Sequence, residues 1–270
     1  MKKFFLLIII FVASLNQYCF SQDLSLYKKF ELAQNETRIP YRILLPENFN
    51  PSQKYPLIIF LHGSGERGND NEKQLVHGAK LFLQKENRQK YPAIVVFPQC
   101  PEKTFWSNAQ FLYDEKGERN FYYLNGGEPS IAMKMLVGLV NNLFVQYKIK
   151  KEQVYVMGLS MGGMGTFELV NRMPHTFAAA IPICGGANPE IATQVKNTSW
   201  WIFHGAKDNA VPPEQSEIMY KALKKNNVPV KFTLYPEAGH NSWDNTFNEP
   251  GLLKWIFSKK LKYNTNEHNN

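Results

Sequence analysis

The chain has 270 residues, 44% of them hydrophobic and 20% charged. That is enough to bury the core of one α/β domain, and the composition excludes a disordered protein. The formal charge of +8 is spread along the chain, with no basic stripe of interleaved aromatics, so no nucleic-acid partner is expected.

At the N-terminus Lys2 and Lys3 form a positive region, and Phe4 to Ala13 an apolar run too short to span a bilayer. Cys19 and Ser21 then stand at the −3 and −1 positions of a cut before Gln22. Residues 1–21 are therefore expected to be a signal peptide, and the mature protein secreted or periplasmic, with no stable membrane insertion after cleavage. An uncleaved anchor is the alternative. Gln17 and Tyr18 are poorly suited to lipid attachment at Cys19. Loss of Lys2 and Lys3 takes the charge from +8 to +6, because no Asp or Glu precedes Asp23. Weak attraction to anionic polysaccharide or lipid head groups is compatible with that excess.

Residues 22–263 are expected to form a single domain, followed by a polar, disordered tail at 264–270. Phe30 to Leu45 reads as an antiparallel hairpin turning at Asn35-Glu36. Pro56 to Leu61 is a continuous apolar run of the kind that marks a strand buried on both faces. Ala93 to Phe97, Val154 to Met157, Ala178 to Ile183, Trp200 to Phe203 and Val230 to Tyr235 read the same way. Helical patterns lie between them at 72–87, 130–147, 162–173, 214–226 and 250–261. Such alternation predicts an α/β fold with a doubly wound, mostly parallel sheet behind the N-terminal hairpin. Ligands bind such sheets at the edge where the strands end. Residues 104–129 have no clear period and carry seven aromatics. They are expected to be either a lid or substrate platform, with Trp106 as its substrate contact, or a packed surface loop.

The chemistry-bearing residues all follow strands. Gly158-Leu159-Ser160-Met161-Gly162 matches G-x-S-x-G between a strand and a helix, the context of a nucleophile elbow. A serine hydroxyl needs a base. In the chain order serine, acid, histidine, that base is His240, within Gly239-His240-Asn241-Ser242-Trp243. Asp208, within His204-Gly205-Ala206-Lys207-Asp208, is the preferred acid; Glu237 and Asp244 are rivals. The oxyanion needs two N–H donors. Met161, next to the nucleophile, should supply one, and Ser64 in the His62 to Gly68 turn the other, with Gly65 as the alternative. Cys100 and Cys184 end different strands and make no disulfide framework, and no Cys/His spacing suggests a metal site.

Taken in order, Leu61 to Asn71, Pro98-Gln99-Cys100-Pro101, Gly158 to Gly163, His204 to Asp208 and Gly239 to Trp243 resemble the exported esterases of the α/β-hydrolase superfamily. These include phospholipase/carboxylesterase, predicted-peptidase and feruloyl-esterase-like proteins. The resemblance spans roughly residues 30–260. It implies an α/β-hydrolase fold, a Ser160–Asp208–His240 triad, and Ser64 and Met161 at the oxyanion. Trp243, beside the base, joins Trp106 as an expected substrate contact. The implied activity is hydrolysis of carboxylic esters through an acyl-enzyme, with no cofactor. Expected substrates are acetyl- or feruloyl-type groups on carbohydrate, or small esters. A serine peptidase on the same triad and a non-catalytic binding protein are the alternatives. No oligomeric state is specified.

Overall fold

The computed structural model describes residues 23–34, 37–117 and 119–262. The expected signal peptide, the Asn35-Glu36 turn and the polar tail lie outside the described residues. Strands β1 (Lys28–Gln34) and β2 (Thr37–Leu44) form the expected antiparallel hairpin. They lead into β3 (Tyr55–Leu61), the short helices α1 (Ala79–Leu83) and α2 (Lys85–Lys90), and β4 (Ile94–Pro98). A small hairpin of β5 (Ala109–Tyr113) and β6 (Arg119–Tyr123) stands apart as its own sheet. Then come α3 (Ile131–Gln146), β7 (Ile149–Leu159), α4 (Met161–Arg172), β8 (Ala179–Ile183) and β9 (Ser199–Gly205). The described chain closes with α5 (Glu214–Lys225), β10 (Val230–Tyr235), α6 (Trp243–Phe247) and α7 (Leu252–Phe257).

The main sheet has the order β1-β2-β4-β3-β7-β8-β9-β10. Pairing is antiparallel through β2 and β4 and parallel from β4 to β10. The apolar runs are continuous because successive strand side chains point to opposite faces and both faces are covered. In β3, Leu57, Ile59 and Leu61 join the core beneath α3, α4 and α5. Ile58 and Phe60 join the core on the other face, with α1 and α7. Among the described residues, no helix is long and apolar enough to cross a membrane.

Two expectations need correction. The helical pattern at 72–87 is broken into a 3₁₀ turn at Lys73–Leu75, the short α1 and the start of α2. The break before α1 lies at Gly78, whose φ of +80° ends any helix of L-residues, and where a Cβ would stand 2.6 Å from the Phe60 ring. Residues 104–129 are not an aperiodic loop, since β5 and β6 pair in register from Ala109↔Tyr123 to Tyr113↔Arg119.

Candidate active site

Ser160 occupies the single residue between β7 and α4, at φ 53° and ψ −117°, a conformation an L-residue adopts only under constraint. Its N–H donates to the Ile183 carbonyl at 2.9 Å, and its carbonyl accepts from the Met164 N–H at 3.0 Å. The turn closes only without side chains on its flanks. A Cβ at Gly158 would stand 2.2 Å from the Gly162 carbonyl oxygen, and one at Gly162 2.0 Å from that of Leu61. The G-x-S-x-G spacing is therefore a steric requirement of this bend.

The loops after β9 and β10 bring the partners. His240 Nε2 lies 3.0 Å from Ser160 Oγ, and His240 Nδ1 lies 2.8 Å from Asp208 Oδ2. A carboxylate only accepts, so Nδ1 carries the proton and Nε2 is free to take one from the serine hydroxyl. Asp208 has no exposed side-chain surface. Its Oδ1 accepts from the N–H groups of Ala210 and Val211, both at 2.9 Å. Its Oδ2 also faces His204 Nε2 at 3.2 Å. Burial alone would raise its pKa, but the bonds from His204, His240 and Val211 prevail and hold the carboxyl far below its usual range. The rivals stand elsewhere: Glu237 is exposed and pairs with Lys207, and Asp244 faces Asn241 at the surface.

His204 is a partner that the sequence reading passed over. It is fully buried, with Nδ1 2.7 Å from Ser216 Oγ and Nε2 2.9 Å from the Val211 carbonyl. It ties the acid to α5 through Ser216, meeting the same carboxylate oxygen that His240 does. The available signal was its place four residues before Asp208, across one strand-to-loop turn.

Met161 and Ser64 both line the cavity onto which Ser160 and His240 open. Met161 opens α4 and Ser64 opens a 3₁₀ turn at Ser64–Glu66. The N–H groups at such positions lack partners within their own helices. Among the described residues, no backbone carbonyl outside those helices accepts from either. The turn around Ser64 is pinned from beneath. His62 takes the Cys100 N–H on Nε2 at 2.9 Å and so donates from Nδ1 to the Gly63 carbonyl at 2.6 Å. Burial pushes the His62 pKa down to about 4, which keeps this bridge neutral. The buried Gln99 amide spans the Glu66 carbonyl, Asp70 Oδ1 and the Asn71 N–H.

The cavity encloses about 430 Å³. One wall is aromatic, with Phe105, Phe111, Tyr113 and Phe121 contributed by the 104–129 segment. The Phe111 and Phe121 rings meet edge to face at 5.3 Å across the hairpin, and Phe105 lies 5.6 Å from Phe111. Trp106 is not part of that wall. It is completely buried, edge-on to His62, with its Cβ 2.4 Å from where a Cβ at Gly165 would stand. The expected substrate contact is thus a core residue beneath the oxyanion turn, and its neighbour Phe105 faces the cavity instead. Trp243 does not line the cavity either. It packs edge-on against His240 at 5.4 Å and tilts against His77 at 5.2 Å, backing the imidazole rather than meeting substrate.

Cys100 and Cys184 are both free and buried. Cys184 Sγ, Asp208 and His240 bring possible ligand atoms within 4.8 Å of one another. Two of those atoms are already bonded to each other, and burial holds the Cys184 thiol protonated well above its ordinary range. That set is poorly suited to a resident metal.

Residues 129–251 match the model of the Dienelactone hydrolase family. Over 217 residues the chain is 24% identical to carboxylesterase SOBER1 of Arabidopsis thaliana, covering 76% of this chain and 86% of that protein. A thermostable esterase superposes with a TM-score of 0.77 at 33% identity, over 87% of this chain and 64% of that one. The chain has an α/β-hydrolase fold and is similar to carboxylesterases and esterases. A ferulic acid esterase of Anaeromyces mucronatus shares this α/β-hydrolase fold, with a TM-score of 0.60 at 15% identity over 86% of this chain and 90% of that one. At that identity the likeness concerns fold alone. The chain spans 64% of the thermostable esterase's length.

Proposed function

We propose that the chain hydrolyses carboxylic esters through an acyl-enzyme on Ser160. The Ser160 hydroxyl attacks the ester carbonyl while His240 Nε2 takes its proton. Asp208 keeps the imidazole in the receptive tautomer and stabilises the imidazolium that forms. The N–H groups of Met161 and Ser64 receive the oxyanion. His240 then returns the proton to the leaving alcohol, and water releases the acid by the same steps in reverse roles. This chemistry uses no metal or cofactor.

The observation that carries the reading is the hydrogen-bonded line from Ser160 through His240 to Asp208, at 3.0 and 2.8 Å, on a strained elbow that opens into the cavity. The finer reading is an exported esterase that removes acetyl- or feruloyl-type groups from carbohydrate or small esters. Its support is the apolar N-terminal run behind Lys2 and Lys3 and the aromatic wall beside the nucleophile. Flat rings stack on such walls at little cost in entropy. The test is p-nitrophenyl acetate hydrolysis by residues 22–270, beside Ser160→Ala. The expected loss is roughly 10⁴-fold or more. Turnover of peptide amides with no turnover of esters would shift the assignment to a peptidase.

A further inference from the structure

The cavity beside Ser160 holds one permanent charge with no role in the steps above. Among the described residues that line it, no Asp, Glu or Lys accompanies Arg67. The Arg67 guanidinium is held in one pose. Nε donates to the Ser64 carbonyl at 3.0 Å, Nη1 donates to the Glu102 carbonyl at 2.9 Å, and Cζ lies over the Phe105 ring, 4.7 Å from its centroid. Both hydrogen-bond partners are neutral carbonyls, and among the described residues no carboxylate forms an ion pair with it. Arginine has five N–H donors. Those bonds leave the Nη2 pair and the second Nη1 hydrogen unassigned, which is the end of the fork that grips two oxygens side by side.

We infer that Arg67 is a carboxylate-binding subsite, and that the preferred esters of this enzyme carry a carboxylate on a flat or aromatic portion of the molecule. This rests on the ester-hydrolase reading and narrows it. A fixed, planar guanidinium in an aromatic-walled cavity loses little freedom on binding, so its charge is available to substrate. One cation matches one monoanion, and a planar carboxylate matches the planar fork of a guanidinium already held over Phe105. Because Arg67 also holds the carbonyl of Ser64, a bound carboxylate sits one turn from the proposed oxyanion donor, within the same cavity as the reacting bond.

The test compares 4-acetoxybenzoate with 4-acetoxybenzamide, which share the acyl group and nearly the same shape. Wild type, Arg67→Gln and Arg67→Lys are assayed on both. Removing the guanidinium disturbs the Ser64 turn and lowers both rates, so the readout is the ratio of the two kcat/KM values. The ratio is expected to fall about tenfold or more in Arg67→Gln and to recover in part in Arg67→Lys. Added salt should lower it in wild type. Equal losses on both esters, with the ratio and its salt dependence unmoved, would make Arg67 a loop clamp only and overturn the inference while leaving the esterase reading intact. If wild type turns over neither ester nor p-nitrophenyl acetate, the esterase reading falls and this inference with it.

Discussion

The elbow of β7 and α4 and the hairpin of β5 and β6 face each other across one cavity, yet they are built on opposite terms. Behind Ser160 the elbow is buried and sterically determined. Met161 to Val170 are all buried, and the backbone carbonyls of Leu61, Gly162 and Ile183 crowd every glycine of the turn. The hairpin is a two-stranded ribbon off the main sheet, with Leu112, Tyr113 and Tyr122 more than half exposed. Machinery common to every ester can sit on the rigid side, while the surface that distinguishes esters sits on the side free to vary. Substitutions on the two sides should therefore fail differently.

The largest effect belongs to Asp208→Asn. Oδ1 is already engaged by two backbone N–H groups, so the new amide turns its NH₂ toward His240 and forces the wrong tautomer. The fold should persist and kcat should drop about 10⁴-fold; a circular dichroism spectrum beside the kinetics checks both halves. Gly162→Ala comes next. A Cβ 2.0 Å from a backbone oxygen has no flexible neighbour to displace, so stability should fall by about 3 kcal/mol or more, or folding should fail. Urea unfolding measures it.

Acid acts on the rigid side through His62. Its pKa is about 4 in the fold against an ordinary 6.5. As pH falls below 6.5 the unfolded chain takes up a proton that the folded chain refuses until about 4. The stabilisation is thus complete above 6.5 and lost across that window, amounting to about 3 kcal/mol. In urea titrations at pH 7 and pH 4.5, the stability gap between wild type and His62→Gln should narrow at the lower pH. A constant gap would remove His62 as the source. On the hairpin, Phe121→Ala should cost least. KM for an aromatic acyl ester should rise about tenfold, kcat should change less, and Tm should move by a few degrees at most.

The same contrast explains what could be read in advance. Strand runs such as Pro56 to Leu61 were legible because burial on both faces leaves no polar interruption, and the expected N-terminal hairpin and parallel order both appear. Ser160, Asp208 and His240 were legible because each follows a strand and the spacing around Ser160 has a steric cause. The hairpin was hidden because Phe111-Leu112-Tyr113 and Phe121-Tyr122-Tyr123 are apolar on both faces, so no alternation marks a strand. Trp106 was misread because an aromatic residue in a variable segment carries no label for core or cavity. Helix 72–87 was misread because only packing reveals that Gly78 must make room for Phe60. His204 and Arg67 were missed as partners because their hydrogen bonds depend on how separate turns meet.

Mass spectrometry of the folded protein after reaction with a fluorophosphonate tests Ser160 as the nucleophile. One adduct is expected on the peptide carrying Ser160, prevented by prior acylation and absent from Ser160→Ala. An unmodified wild-type protein, or an adduct that survives the Ser160→Ala substitution, would remove Ser160 as the nucleophile.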